Sequence, residues 1–132
     1  MNQITLVGNL TRDPELRFTP NGNPVAEFGI AVTKMKAVDK DEWISDFFNC
    51  VIWGTAAENV AKSLNKGSRV ILTGKLTIER WEKDNEKKQA TKIRVMAIGP
   101  ELSYAICKIT KNAKQPDKAD EQAPPTDEDI PF

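Results

Sequence analysis

The chain of 132 residues contains no histidine and only two cysteines. Because histidine is the commonest general base and the commonest zinc ligand, its absence removes the usual catalytic and metal-binding chemistry. Cys50 and Cys107 are far apart and fit no metal-ligand spacing, and their apolar neighbours predict reduced, packed thiols. The sequence also lacks a glycine-rich phosphate loop and a nucleophile elbow. An enzyme is therefore the weakest interpretation, and neither a metal site nor a cofactor is predicted.

Long apolar runs are missing as well. No run is long enough to span a membrane, and the stretch "NQITLVGNL" after Met1 lacks the basic start and apolar core of a signal peptide. We therefore predict a cytoplasmic protein without a membrane partner.

Positive and negative charges balance overall but are divided along the chain. Residues 1–111 contain 17 Lys and Arg against 13 Asp and Glu, a balance of +4. Residues 112–132 contain 2 Lys and 6 Asp and Glu, a balance of −4. A basic body with an acidic tail suggests an anionic partner for the body.

The acidic part contains "NAKQPDKADEQAPPTDED", a stretch with three prolines and no aromatic residue. Such a stretch cannot bury enough apolar surface to offset the entropy lost on ordering. The composition therefore predicts a folded domain over 1–111, a disordered linker over 112–126, and a distinct tip, "DEDIPF", over 127–132.

Apolar residues recur with a period of two in five segments, which is typical of half-buried strands. The apolar sets are Ile4, Leu6 and Leu10; Ala26, Phe28, Ile30 and Val32; Phe48, Cys50 and Ile52; Val70, Leu72, Leu76 and Ile78; and Ile93, Val95 and Ala97. Between the third and fourth segments, "GTAAENVAKSLNKGS" predicts a helix that begins at a capping box from Thr55 to Glu58 and stops at Gly67. This order predicts an all-β fold, a five-stranded OB-fold barrel with one short helix between strands 3 and 4 and a disordered acidic C-terminal tail.

The strand positions that do not enter the core carry aromatic rings and cations together. Bases of single-stranded nucleic acid stack on such rings, while Lys and Arg contact the phosphates. The predicted stacking rings are Phe47, Trp53 and Trp81, whereas for Trp43 and Phe18 the sequence supports stacking and packing equally. The candidate phosphate-binding cations are Arg12, Arg17, Lys34, Lys36, Arg69, Lys75 and Arg80.

Several of these stretches occur together in one known family. The segments "LVGNLTRDPELRFTPNG", "AEFGIAVT", "WGTAAENVAKSLNKGSRVILTGKL" and "DEDIPF" resemble the bacterial and phage single-stranded DNA-binding proteins, the SSB family. The resemblance implies an OB-fold homotetramer, associated with the nucleoid, that wraps single-stranded DNA. It also implies that Phe47, Trp53 and Trp81 stack on bases. Well-studied members have a further stacking Trp where this chain has Lys36, and Trp43 is a candidate substitute.

The resemblance assigns roles to two C-terminal segments. "GPELSYAICKITK" resembles an extra C-terminal strand that reinforces subunit pairing in one bacterial branch of the family. The tip implies docking of replication, recombination and repair proteins. Pro131 and Phe132 are expected to enter an apolar pocket of the partner, where a basic residue binds the terminal carboxylate. The remaining members of the tip are Asp127, Glu128, Asp129 and Ile130, of which the acidic three are expected to meet Lys and Arg of the partner.

The leading prediction is thus a non-catalytic, sequence-tolerant binder of single-stranded DNA that also recruits other proteins. One alternative is an OB-fold protein-interaction module of a primosome. The other is an RNA-binding OB domain, because stacking and phosphate contacts do not sense the 2′-hydroxyl group.

Overall fold

The computed structural model describes residues 1–36 and 43–113, and at residues 35, 36 and 43 it describes the backbone only. These ranges contain six strands and one helix. The strands are β1 (Ile4–Leu10), β2 (Glu15–Phe18), β3 (Pro24–Lys36), β4 (Trp43–Trp53), β5 (Arg69–Lys83) and β6 (Glu86–Pro100). The helix, α1, is Thr55–Ser63 and lies between β4 and β5. All five predicted strands are present, and β2 is an additional short strand that the sequence pattern did not reveal.

The five long strands close into a barrel. The sheet runs in the order β1-β5-β6-β4-β3-β2, and a further pairing of β1 with β3 closes the five long strands into a ring. Strands β4 and β6 pair in parallel, and the other pairs are antiparallel. The short β2 pairs with the first half of β3 outside this ring. The predicted five-stranded OB-fold barrel is therefore confirmed.

The barrel interior is filled by alternate residues of the strands. Phe28, Ile30, Leu72 and Ile93 are at most 1% exposed. No polar or charged residue in the described ranges is buried, so the core is held by apolar packing. The predicted inward sets are confirmed on β3 and β4, where even-numbered positions from Ala26 to Ile30 and the pair Cys50 and Ile52 are buried.

The alternation on β5 and β6 departs from the prediction in two ways. Thr73 pairs with Ala97 but Gly74 pairs with Val95, so β6 has one extra residue at this point, a β-bulge. The bulge reverses the alternation beyond it, and Ala97 is therefore exposed rather than inward as predicted. Leu76 and Ile78 are 36% and 45% exposed, because β5 has no β1 partner beyond Gly74 and from Ile78 onward forms a two-stranded ribbon with β6.

Helix α1 packs on the barrel through Ala57 and Val60, and Leu64, which follows the helix, belongs to the same core cluster. The helix begins at Thr55 as predicted, but the predicted capping box does not form, since the N-cap is Gly54 with a φ of 81° and no side chain caps the helix. Its end was wrongly predicted, because Leu64 is already extended and Gly67 lies in the following turn. No helix in the described part of the chain is both long and apolar enough to cross a membrane.

Residues 101–113 follow β6 without forming a strand, so the predicted C-terminal strand does not exist within the single chain. Cys107 in this segment is exposed, which contradicts its predicted packing. Cys50 is buried as predicted, and desolvation by burial raises the pKa of its thiol to about 12. Asn112 exchanges side-chain hydrogen bonds with Asn59 of α1. The rest of the predicted linker and the tip 127–132 lie outside the described residues.

Candidate nucleic-acid interface

One continuous surface of the barrel is formed by the outward positions of five strands, and we call it the outer face. Asn49 of β4 pairs with Lys92 of β6, which in turn pairs with Thr77 of β5. Since residues opposite each other in a ladder project from the same side of a sheet, the outward set can be followed from strand to strand. Its members are Arg17 on β2; Val25, Glu27, Gly29 and Ala31 on β3; Phe47, Asn49, Val51 and Trp53 on β4; Lys88, Ala90, Lys92 and Arg94 on β6; and Lys75, Thr77, Glu79 and Trp81 on β5.

The three predicted stacking rings all lie on the outer face and are accessible. Phe47, Trp53 and Trp81 are 73%, 43% and 45% exposed. Phe47 and Trp53 are six residues apart on β4, a distance of about 20 Å along a strand. Val25 of β3 is opposite Trp53 of β4 on one side and Arg17 of β2 on the other, and its side chain is fully buried. Trp81 is opposite Lys88 on the ribbon. The face thus presents separated flat rings rather than one packed aromatic cluster.

Cations line the strands between these rings. Lys75 of β5 is directly opposite Arg94 of β6, and Arg94 is in turn opposite Val51 of β4. Lys88, Lys92 and Arg94 were not among the candidate cations from the sequence. The signal that could have found the last two is their alternation with Ile93 and Val95, which are 0% and 5% exposed.

A carboxylate is located among these cations. Arg17 Nη2 donates a hydrogen bond to Glu27 Oε1 over 2.7 Å. Lys92 Nζ lies 4.0 Å from the same oxygen and 3.7 Å from Glu79 Oε2. The hydrogen bond from Arg17 lowers the pKa of Glu27, and the charges of Lys92 and Arg12 contribute in the same direction. The same bond raises the pKa of Arg17. Glu27 is therefore ionised at neutral pH.

Arg12 reaches the outer face across Gly29. A Cβ atom built at Gly29 would lie 2.5 Å from Thr11 Oγ1 and 3.3 Å from Arg12 Nη1. The side chains that follow β1 therefore occupy the space that a larger residue would need. A larger residue at position 29 would force Thr11 to move and would crowd the Arg12 guanidinium.

The remaining predicted cations lie elsewhere. Arg69 Nε donates to Glu101 Oε2 over 2.6 Å, and its guanidinium lies 5.6 Å from the centre of the Tyr104 ring. Arg80 is opposite Gln89, on the reverse side of the ribbon from Trp81. Lys34 is the extra residue of a bulge in β3, with its Nζ 3.7 Å from Asp46 Oδ2.

The comparisons with known proteins agree with this architecture. The profile of the Single-strand binding protein family matches residues 1–100. The chain belongs to this family. Among similar SSB-family proteins, the single-stranded DNA-binding protein of Mycolicibacterium smegmatis (strain ATCC 700084 / mc(2)155) is 48% identical over 116 residues, which cover 84% of this chain and 70% of the relative. That of Mycobacterium tuberculosis (strain ATCC 25618 / H37Rv) is 46% identical over 117 residues, 84% of this chain and 71% of the relative. That of Paenarthrobacter aurescens is 45% identical over 117 residues, 84% of this chain and 68% of the relative.

Two predicted parts of this SSB-family site have no described side chains. Lys36 and Trp43 are direct backbone partners where β3 and β4 begin their connection. The tip from Asp127 to Phe132 lies beyond residue 113. Among the described residues, no group of three or more Cys, Asp or Glu is arranged to hold a metal ion.

Proposed function

We propose that this SSB-family protein binds single-stranded DNA on the outer face, without sequence preference and without catalysing a reaction. The observation that carries the proposal is the alternation of exposed rings and cations on one continuous sheet surface. Phe47, Trp53 and Trp81 are open to a flat partner, and Lys75 and Arg94 lie between them. Family membership and the names of the similar proteins support the same function.

Stacking explains why the binding would tolerate any sequence. Every base has a flat face, so a ring contributes roughly 1–3 kcal/mol irrespective of base identity. Reading a base edge would instead need polar groups fixed at defined positions. Binding through rings and phosphates covers the bases, and in this way the protein would protect exposed single strands in the bacterial nucleoid and cytoplasm.

Apolar residues away from the outer face support assembly of four identical chains. Ile71 is opposite Val7 in the β1–β5 ladder and is 44% exposed. Met96, at the bulge of β6, is 66% exposed. In residues 101–113, Ile106 and Ile109 are 98% and 81% exposed. Large apolar side chains left exposed in this number favour a protein–protein interface, and light scattering that gives a monomer mass would contradict the tetramer.

The tip is proposed to recruit replication, recombination and repair proteins. Its sequence combines three carboxylates with an apolar Ile-Pro-Phe segment. Such a peptide suits an apolar pocket with a basic rim. A linker of low apolar content would let the tip reach a partner while the barrel holds DNA.

The experiment that tests DNA binding is a titration of Trp fluorescence with oligo-dT, oligo-U and duplex DNA. We expect strong quenching by oligo-dT and little by duplex DNA, because paired bases cannot stack on protein rings. Equal or stronger binding of oligo-U would favour the RNA-binding alternative. No response to any of the three would favour the protein-interaction module.

A further inference from the structure

The outer face contains two carboxylates that a surface for DNA phosphates does not need. Glu27 lies between Arg17 and Lys92, and Glu79 lies on the other side of Lys92. The exposed fractions of the Glu27 and Lys92 side chains are 24% and 30%, so both are held against the sheet. Arg17 is 54% exposed and open to solvent on its outer side.

We propose that Glu27, assisted by Glu79, is a built-in competitor of DNA phosphate that limits how tightly the outer face holds a single strand. The inference rests on the proposed function, since it concerns cations on the proposed DNA-binding surface. The proposal assigns Glu27 a role that weakens DNA binding, whereas the rings and cations of the outer face are proposed to strengthen it.

The geometry explains why the carboxylate competes rather than assists. Both Arg17 and Lys92 approach the same oxygen of Glu27. A phosphate bonded to Arg17 would stand about 6 Å from that carboxylate, because two charge-assisted hydrogen bonds of typical length separate them. This distance is shorter than the Debye length of about 8 Å at physiological ionic strength, so salt screens the repulsion only in part.

A purely structural role for Glu27 accounts less well for the arrangement. The Arg17–Glu27 pair is only partly buried, so its contribution to fold stability is small. Backbone pairing fixes the positions of Arg17 and Lys92 on their strands, so both cations remain on the outer face when the carboxylate is removed. An ionised Glu27 therefore mainly neutralises cations that would otherwise be available to DNA, and a lower affinity shortens the residence time of the strand.

The test compares three variants that each remove one negative charge. Glu27→Gln frees Arg17 and Lys92, and Glu79→Gln frees Lys92 from one partner. Glu58→Gln, on α1 away from the outer face, is the matched control for net charge. Affinity for a fluorescein-labelled dT oligonucleotide is measured by anisotropy over a series of salt concentrations.

For Glu27→Gln we expect affinity roughly 3- to 10-fold higher at low salt. The slope of log K against log salt should become steeper by about 0.7 for each freed cation that reaches a phosphate. Glu79→Gln should show a smaller change of the same sign, and Glu58→Gln should match the unmodified protein. A merely structural Glu27 would not steepen the salt slope.

Unchanged or weaker binding by a folded Glu27→Gln protein would overturn the proposal. If the Glu27→Gln protein does not fold, the Glu79→Gln variant provides the test. An affinity and a salt slope of Glu79→Gln equal to those of the unmodified protein would then overturn the proposal. Failure of the unmodified protein to bind the oligonucleotide would instead reject the proposed function, so the two failures are distinguishable.

Discussion

Gly74 of β5 faces the backbone of Arg94 in β6 so closely that no side chain fits between them. A Cβ atom built at Gly74 would overlap the Arg94 carbonyl group and would lie 2.9 Å from the Cα atom of Val95. This contact is at the bulge that reverses the alternation of β6. The same closeness brings Lys75 and Arg94 together on the outer face.

The first prediction concerns this contact. Gly74→Ala should destabilise the domain by about 1–3 kcal/mol, because the obstructing atoms belong to the backbone and cannot turn away. Gly99→Ala is the matched control, since nothing lies within 4 Å of a Cβ atom there. We expect its effect to stay within about 0.5 kcal/mol. Urea unfolding measures both, and equal stability of the two variants would contradict the packing at the bulge.

The bulge also shows where sequence patterns stop being informative. Alternation predicted the inward residues of β3 and β4 because both strands are regular at those positions. It misplaced Ala97, because the extra residue in β6 follows from pairing with β5, which is distant along the chain. The four-residue β2 was missed because it is too short to show a period, and it is held by β3 rather than by its own composition.

The candidate site was predictable to a similar extent. Phe47 and Trp53 alternate with core residues, so their outward direction follows from the local sequence. The association of Glu27 with Lys92 cannot be derived from the local sequence, because it depends on the registers that join β3, β4 and β6. The pairing of Arg69, a predicted phosphate ligand, with Glu101 could not be foreseen either, because the two residues are 32 positions apart in the chain.

Replacement of the stacking rings should weaken DNA binding without unfolding the barrel. We expect Trp53→Ala and Trp81→Ala each to reduce the binding free energy for oligo-dT by about 1–3 kcal/mol. Trp53→Ala should also lower stability more than Trp81→Ala, because it uncovers the buried Val25. Phe18→Ala is the control, since this 57% exposed ring projects from the opposite side of β2 to Arg17.

Anisotropy titrations and thermal unfolding separate the two effects. If Trp81→Ala abolished folding while leaving residual affinity intact, that ring would belong to a core and its assignment to the outer face would be wrong.

The salt dependence of binding should distinguish cations on the outer face from those behind it. Each phosphate neutralised on a single strand contributes about −0.7 to the slope of log K against log salt. We expect Arg94→Gln to make the slope shallower by about this amount. Arg80→Gln removes the same charge from the reverse side of the ribbon and should leave the slope unchanged. Equal slopes for the two variants would refute the placement of the phosphate path along β6.

The Arg17–Glu27 pair predicts a specific pH dependence of stability. The pKa of Glu27 is lowered in the folded protein from its ordinary value of 4.5, chiefly by the hydrogen bond from Arg17. Its stabilising contribution is therefore fully present above pH 4.5 and is lost as the pH falls through the lowered pKa. The difference in free energy of unfolding between the unmodified protein and Glu27→Gln should shrink over this acidic range. Urea unfolding at several pH values measures it, and a difference that does not vary with pH would contradict the pair.

The last prediction separates two possible roles of the tip. Phe132→Ala keeps every charge of "DEDIPF" but removes the largest apolar side chain that a partner pocket could hold. If the tip docks in such a pocket, recovery of replication and repair proteins from a bacterial lysate should fall to background. The affinity for oligo-dT should stay the same, because the charge facing the phosphates is unaltered.

The control for charge is a variant in which Asp127, Glu128 and Asp129 become the corresponding amides while Phe132 is retained. This variant should bind DNA equally well or slightly more tightly, because like charge no longer repels the phosphates. Its recovery of partners should be reduced, since carboxylates at the pocket rim are lost, and the loss should grow with salt. A tail that acts only through its charge predicts the reverse pattern, in which Phe132→Ala behaves as the unmodified chain and only the amide variant loses partners.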